Sequence, residues 1–590
     1  MSSLCGRRWA QCSFWPLAWL TTTGFPFHSW KGSAPRTSSQ IKRHLKHGEA
    51  PMLENYVKKI HGSRIYEVAV KTPLQEAPQL SSRLNNRVLL KREDLQPVYS
   101  FKLRGAYHKL TQLTDVQRGL GVITASAGNH AQGLALAAKI LGCNATIVMP
   151  ITTPEIKIEG VRSRGAKVVL LGDSFPEALA HALSLCDEHG FTFVHPYDDP
   201  DVIVGQGTVA MEILRQHPDS IDAIFVPVGG GGLIAGIAAY VKYMRPDILV
   251  IGVEPEDSNC LQQALQAGQR VILPQVGLFA DGVAVSQIGA HTFDVCRTSV
   301  DEVVTVSSDE ICAAIKDIFE DTRSIPEPAG ALGLAGMKKY ISKKSVSGKT
   351  LIAINSGANI NFDRLRHVAE RADIGKEREA VFAVTLPERA GSLWSLCESL
   401  RDRQITEFGY RCQNGPEAQV FLGIQTRPEH APRSELIQSL KACGLMVTDL
   451  THNELAKSHV RHMMGGRATH PFNEVLFRFE FPERPGALVR FLEKIGTQWS
   501  ISMFHYRNHG AAEAHVIVGM HVPVEDKQRL IKVLDTVGYP YRDETDNVAY
   551  NLFLGQTAVL TPLQQKMPVV MTQKYPVMKV SEHCGEVTLV

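Results

Sequence analysis

Between Val88 and Ile354 the chain alternates short apolar runs with longer amphipathic or alanine-rich segments. Val88-Leu89-Leu90-Lys91, Gly121-Val122-Ile123-Thr124, Ala145-Thr146-Ile147-Val148-Met149 and Lys167-Val168-Val169-Leu170-Leu171 have the length and composition of strands, as do Ala223 to Val228, Leu249 to Val253 and Thr350 to Ile354. Between them the spacing predicts helices over Phe101 to Leu113, Ala131 to Leu141, Pro154 to Arg164, Phe175 to His189 and Ile234 to Tyr243. Short strands separated by helices build βαβ units, and therefore parallel sheet. Ahead of this region a helical pattern runs from about Met52 to Ala69, and Thr72-Pro73-Leu74 opens an extended segment. Ser100 is the residue type that caps the helix beginning at Phe101.

After about Gly375 the pattern changes to an internal repeat. Val384-Thr385-Leu386-Pro387-Glu388-Arg389-Ala390-Gly391 returns as Phe479-Glu480-Phe481-Pro482-Glu483-Arg484-Pro485-Gly486, and Ile405 to Arg411 returns as Ile501 to Arg507. Each copy reads strand, helix, strand, strand, helix, strand, a ferredoxin-like βαββαβ unit. Such a pair serves either as packing modules or as a ligand receptor. The predicted organisation is an extension over residues 1–52, an α/β region of two subdomains over 53–372, repeats over 380–452 and 475–546, and a disordered tail over 556–590.

At 590 residues the chain is too long for a single core, which agrees with this division. A net charge of +3 gives no reason to expect nucleic acid or a membrane surface as partner, and no apolar run reaches the roughly 20 residues that span a bilayer. The eleven cysteines are scattered without metal-ligand spacing, so no metal site is expected. The first 48 residues hold seven Lys/Arg and no Asp or Glu, the composition of an organelle transit peptide. The alternatives there are an unstructured extension or a start upstream of the true one, which leaves a mitochondrial matrix or plastid address beside a cytoplasmic one.

Four stretches change the picture from architecture to chemistry: Ser100-Phe101-Lys102-Leu103-Arg104-Gly105-Ala106, Ser126-Ala127-Gly128-Asn129-His130, Gly229-Gly230-Gly231-Gly232-Leu233 and Asn355-Ser356-Gly357-Ala358-Asn359. Three of them follow the C-terminal end of a predicted strand, where open α/β sheets bind ligands. Together they supply an amine, an amide-bearing turn, a phosphate cradle and a hydroxyl, the parts that hold pyridoxal phosphate as a Schiff base. Lys102 is the candidate amine, and burial would favour its neutral, nucleophilic form. The four glycines leave no Cβ along their turn, so backbone N–H groups can close on a dianion at a helix N-terminus. The other reading of a glycine run, a flexible linker, fits poorly between a buried strand and a helix. Asn129 can meet a cofactor ring hydroxyl or cap its own helix, and both can hold together. Ser126, Ala127, Gly128 and His130 are candidates for a substrate carboxylate. Ser356 would meet the pyridine nitrogen, and a hydroxyl there does not keep that nitrogen protonated. This weakens the electron sink and favours β-elimination over transamination.

These stretches, with Lys91-Arg92-Glu93-Asp94 and Thr124 to Gly133, resemble the biosynthetic threonine dehydratase (threonine deaminase) family over about Pro73 to Gly555. The resemblance implies a fold type II, tryptophan-synthase-β-like catalytic region with open parallel sheets, followed by two ACT-like regulatory subdomains. It implies cofactor contacts from Phe101, Lys102, Asn129, Gly229, Gly230, Gly231, Gly232, Leu233 and Ser356. It also implies L-threonine as substrate, a homotetramer, inhibition by isoleucine and relief by valine. Phe408, Tyr410, Arg411, Phe504, Tyr506 and Arg507 are candidate effector contacts, and a sheet-face core role is the alternative for each aromatic. Serine dehydratase and serine racemase share the catalytic fold but usually lack the doubled region; a non-catalytic amino-acid sensor would not need Lys102 and the glycines.

Overall fold

A computed structural model describes residues 49–554 except positions 152, 154, 173, 363, 390, 401–402, 413–415, 427–432, 454–455, 458–459, 463–472, 483–485, 497, 508–512, 548–549 and 551–553. The expectations for residues 1–48 and for the tail from 555 lie outside the described residues. The expected first helix spans Glu49–His61 and so starts inside the segment assigned to the extension.

In chain order the strands are β1 (Leu74–Glu76), β2 (Arg87–Arg92), β3 (Val122–Ala125), β4 (Ala145–Met149), β5 (Lys167–Leu170), β6 (Thr192–Phe193), β7 (Ala223–Pro227), β8 (Leu249–Pro255), β9 (Glu302–Val306) and β10 (Thr350–Asn355). They form a six-stranded sheet, ordered β1-β2-β10-β7-β8-β9, and a four-stranded sheet, ordered β5-β4-β3-β6. Every pairing is parallel except that of β1 on β2. The open parallel sheets are as expected. The edge strands β6 and β9 went unread, because one has two residues and the other is mostly half-buried.

The helices that position the site are α1 (Lys102–Gln112), α2 (Asn129–Ile140), α3 (Pro200–Gln216), α4 (Gly232–Met244), α5 (Ala290–Ser299), α6 (Ser308–Thr322), α7 (Pro328–Lys344) and α8 (Arg364–Gly375). Ser100 does not cap α1 as expected: Phe101 holds the N-cap position without a side-chain hydrogen bond, and Ser100 bridges to Gly357 instead. The sequence reading missed α3, whose glycines look like breakers. They are needed for contact. A Cβ on Gly205 would lie 2.4 Å from the Arg104 carbonyl oxygen, and one on Gly105 would lie 2.8 Å from that of Val202. The two helices therefore cross at backbone distance.

That crossing buries charge. Arg104 Nε lies 2.7 Å from Glu93 Oε2, Arg104 Nη1 lies 2.7 Å from Glu212 Oε1, and Lys91 Nζ lies 2.6 Å from Glu212 Oε2. Two cations and two carboxylates balance here, and all four side chains are buried. The cluster ties α1 to β2 and α3, and so fixes the helix that begins with Lys102.

The C-terminal region matches the expected repeat element by element. Its strands are β11 (Glu379–Pro387), β12 (Ile405–Arg411), β13 (Glu417–Gln425), β14 (Met446–Asp449), β15 (Glu474–Pro482), β16 (Ser500–Arg507), β17 (Glu513–His521) and β18 (Tyr541–Asp543). The two units share one eight-stranded sheet, ordered β14-β11-β13-β12-β16-β17-β15-β18, closed by antiparallel pairing of β12 with β16. Each unit has a register shift, at Ile405/Glu407 and at Ile501/Met503. The residue in each bulge donates a hydroxyl to a buried carboxylate: Thr406 to Glu379, Ser502 to Glu474. A Cβ on Gly423 would lie 2.5 Å from Thr406 Oγ1, and one on Gly519 2.9 Å from Ser502 Oγ, so glycine recurs opposite each bulge.

Replacing Glu212 by Ala leaves Lys91 and Arg104 with one buried carboxylate between them. The expected loss of stability of the catalytic region is about 3–5 kcal/mol, read by urea unfolding. A midpoint equal to that of the wild type would show that the cluster does not hold α1 in place.

Candidate active site

The lysine helix and the serine turn are joined by backbone. Phe101 N–H donates to Ser356 O at 3.2 Å, and Ala358 N–H donates to Tyr99 O at 2.9 Å. This places Lys102 and Ser356, distant in sequence, on one short ladder. The Lys102 side chain is half-buried, with Nζ 5.4 Å from the centre of the Phe101 ring and donating to Pro196 O at 2.8 Å. Burial pulls its ammonium down to about 8, against the opposing pull of the Glu327 carboxylate.

The glycine turn lies between β7 and α4. A Cβ on Gly229 would sit 2.9 Å from Val283 Cα, and one on Gly230 would sit 2.2 Å from the Tyr197 ring. Gly231 has φ +91°, in the left-handed region that favours glycine, and Gly232 opens α4. Leu233 is buried in the first turn of that helix. Thr292 Oγ1 donates to Gly230 O at 2.8 Å, which fixes the turn from α5. Asp198 in turn accepts from the N–H groups of Ala290 and His291 at the start of α5, at 2.8 Å each. The loop His195-Pro196-Tyr197-Asp198 thus touches the lysine amine, the glycine turn and α5. None of these loop residues stood out in the sequence.

Residues 126–129 follow β3 and are half-buried; Gly128 N–H donates to Ser126 Oγ at 3.3 Å. Asn129 Nδ2 donates to Glu327 Oε1 at 2.6 Å, while Asn129 Oδ1 accepts from Asn359 Nδ2 at 2.7 Å. His130, expected beside the substrate carboxylate, is the second residue of α2. Its ring is buried under the turn, with Nε2 3.0 Å from Val194 O. Burial, reinforced by the nearby Lys102 charge, depresses it to about 3. Glu327 was missed. It is 4% exposed, and burial pushes its carboxyl up to about 7, helped by the charge of Asp281. Its only sequence signal is an acid between Pro326 and Pro328 before a small-residue helix.

The parts fit pyridoxal phosphate. The glycine turn admits no side chain, so only its backbone N–H groups and the α4 N-terminus face a phosphate there. Lys102 supplies an amine drawn toward its neutral form, and Asn129 retains a second amide hydrogen. Among the described residues Ser356 Oγ is held only by a 3.4 Å contact to Ala329 O, leaving it available to a ring nitrogen.

The expected effector residues fare differently. Phe408 and Phe504 are 1% exposed and stack edge to face at 5.3 Å, so they are core residues shared by the two repeats. Arg411 is also a correction: its guanidinium is buried against Glu474 at 2.7 Å. Tyr410 donates to Glu388 Oε1 at 2.6 Å, beside a small cleft that Pro387, Trp394 and Trp499 also line. Tyr506 donates to Ile405 O at 3.0 Å, and the Arg507 side chain lies outside the described residues.

Comparison with known proteins agrees with both halves of this architecture. Residues 65–357 match the pyridoxal-phosphate dependent enzyme family, and residues 370–460 and 465–554 match the C-terminal regulatory domain of threonine dehydratase. The biosynthetic L-threonine dehydratase of Burkholderia multivorans is 53% identical over 85% of this chain and 99% of its own length. The mitochondrial threonine dehydratase of Saccharomyces cerevisiae is 50% identical over 85% of this chain and 89% of its own. The solved structure of the processed form of threonine deaminase isoform 2 from Solanum lycopersicum is 48% identical, with a TM-score of 0.54 over 55% of this chain and 89% of that one. With the lysine tied to the serine turn by backbone and to the glycine turn through the loop 195–198, and a doubled regulatory region following in sequence, the chain belongs to the biosynthetic threonine dehydratases, a family of pyridoxal-phosphate-dependent lyases.

Proposed function

We propose that the protein converts L-threonine to 2-oxobutanoate and ammonia, the committed step toward isoleucine, under inhibition by isoleucine and relief by valine. The observation that supports this most is the shared ladder that sets Lys102 beside Ser356. When bound, pyridoxal phosphate supplies an electron-withdrawing ring that acidifies the Cα–H of an amino acid. The chain's own residues supply the rest. The glycine turn from Gly229 to Gly232, with Leu233 at the helix start, holds the phosphate. Phe101 packs beside the lysine, and Asn129 directs an amide hydrogen to the ring oxygen. The turn Ser126-Ala127-Gly128 offers a hydroxyl and N–H groups to the substrate carboxylate. Lys102, its amine within reach of neutrality, takes the Cα proton onto Nζ. Ser356 would meet the ring nitrogen with a hydroxyl, which favours loss of the β-hydroxyl; that group leaves as water, and the proton it takes up balances the one that Lys102 removes from Cα.

The paired regulatory units are read as the receptor for isoleucine and valine, and Tyr410 is the expected effector residue that fronts a cleft. A serine dehydratase or serine racemase remains the second reading of the catalytic half alone, and the doubled region speaks for threonine. The same reading carries a homotetramer, checked by sedimentation of the full chain. It also carries an organellar address for residues 1–48, checked by sequencing the mature N-terminus.

Lys102→Ala is expected to abolish both the visible band of the lysine-linked cofactor and threonine turnover; a retained band would refute the assignment. Removing residues 380–590 should leave threonine deamination but end isoleucine inhibition, and inhibition that persists would move the effector site into the catalytic half. Ser356→Asp should protonate the ring nitrogen and raise the share of transaminated product. An unchanged product ratio would remove Ser356 from the account of elimination.

A further inference from the structure

Glu327 is a buried carboxyl with no pairing cation among the described residues. Its Oε1 accepts from Asn129 Nδ2 at 2.6 Å, and the backbone N–H of Asn359 gives a further donor. Its own N–H donates to Gly357 O at 3.0 Å. Gly357 makes the seat possible, since a Cβ there would lie 2.6 Å from Glu327 Oε1. Asn359 Nδ2 donates both to Asn129 Oδ1 at 2.7 Å and to Val98 O at 2.8 Å. The Asn129 amide is therefore clamped with its oxygen toward Asn359 and its nitrogen toward Glu327.

The charged groups around this carboxyl come from three elements. Lys102 lies on α1, Asp281 lies in the turn Asp281–Val283, and Lys157 lies on the helix Glu155–Arg162. Lys157 Nζ is 2.6 Å from Asp281 Oδ2, and Arg364 Nη1 is 3.6 Å from Asp281 Oδ1. Asp281 discourages ionisation of Glu327 and Lys157 encourages it. In turn, an ionised Glu327 strengthens the hold of Lys102 on its proton. The clamp and the charge act on the same two groups, the amide that faces the ring oxygen and the amine that reacts.

We propose that Glu327 is a positioning residue that sets the proton affinity at Lys102 Nζ and fixes the donor direction of Asn129. Ionised, it favours the protonated nitrogen; neutral, it releases it. This inference rests on Lys102 being the cofactor lysine.

The test is a pH titration of the visible absorbance of the full-chain holoenzyme, with the pH profile of kcat/KM alongside. In Glu327→Gln the absorbance midpoint should fall by about one pH unit or more, with the acidic limb of kcat/KM moving the same way. Glu327→Asp should restore part of the wild-type midpoint. Lys157→Met supplies a second test by sign, and decides the matter should Glu327→Gln fail to hold cofactor. Loss of a cation acting directly on Lys102 would raise the midpoint, whereas action through a more often neutral Glu327 lowers it. A midpoint unmoved in a cofactor-bearing Glu327→Gln protein, or raised in Lys157→Met, overturns the proposal. Failure of the underlying cofactor assignment has a separate signature, a visible band that survives in Lys102→Ala.

Discussion

The site depends on a short stretch of backbone pairing between Tyr99–Phe101 and Ser356–Ala358. Side chains alone would not hold a lysine and a serine from opposite ends of a catalytic region side by side. Main-chain hydrogen bonds do so without spending the functional groups, which stay available for chemistry. Tyr99 accepts a positive φ of 56° at the entrance to this ladder, and Asn359 reaches back to Val98 to close it. The reacting groups are thus set by main-chain geometry, and the surrounding side chains tune them.

Charge is the second constraint. The buried cluster of Lys91, Glu93, Arg104 and Glu212 neutralises itself and serves as an anchor, because each member has partners at hydrogen-bond distance. The pocket a few residues away is built on the opposite rule. Lys102 has a carbonyl at hydrogen-bond distance, Glu327 has an amide, and neither has a counterion at bonding distance among the described residues. Incomplete pairing in a poorly solvated setting brings both groups toward neutrality near physiological pH, where a proton can be taken or given.

Much of this was legible in the chain, for physical reasons. The glycine run, the Ser-Ala-Gly-Asn turn and the Asn-Ser-Gly turn are contiguous and follow apolar strands, so their place at strand ends could be read directly. The repeat was legible because it recurs with the same spacing. Other features depend on partners far along the chain. Gly205 of α3 is explained only by α1 pressing against it, Gly207 by Ile60 and the α4 backbone at Gly236, and Glu327 only by Gly357 and Asn129. The aromatics of β12 illustrate a third case. Phe408 and Tyr410 lie two residues apart and share the inner face of the sheet, so both belong to the core, and only the phenol of Tyr410 reaches an edge.

The pairing of β12 with β16 makes the two regulatory units mechanically one object. Arg411 reinforces this by crossing from the first unit to Glu474 of the second. A tilt or slide of either half is therefore transmitted through the common ladder to the other, and cannot be absorbed by a hinge between them. Duplication has produced a single stiff lever with two grips, so whatever engages one grip works against the rigidity of the whole.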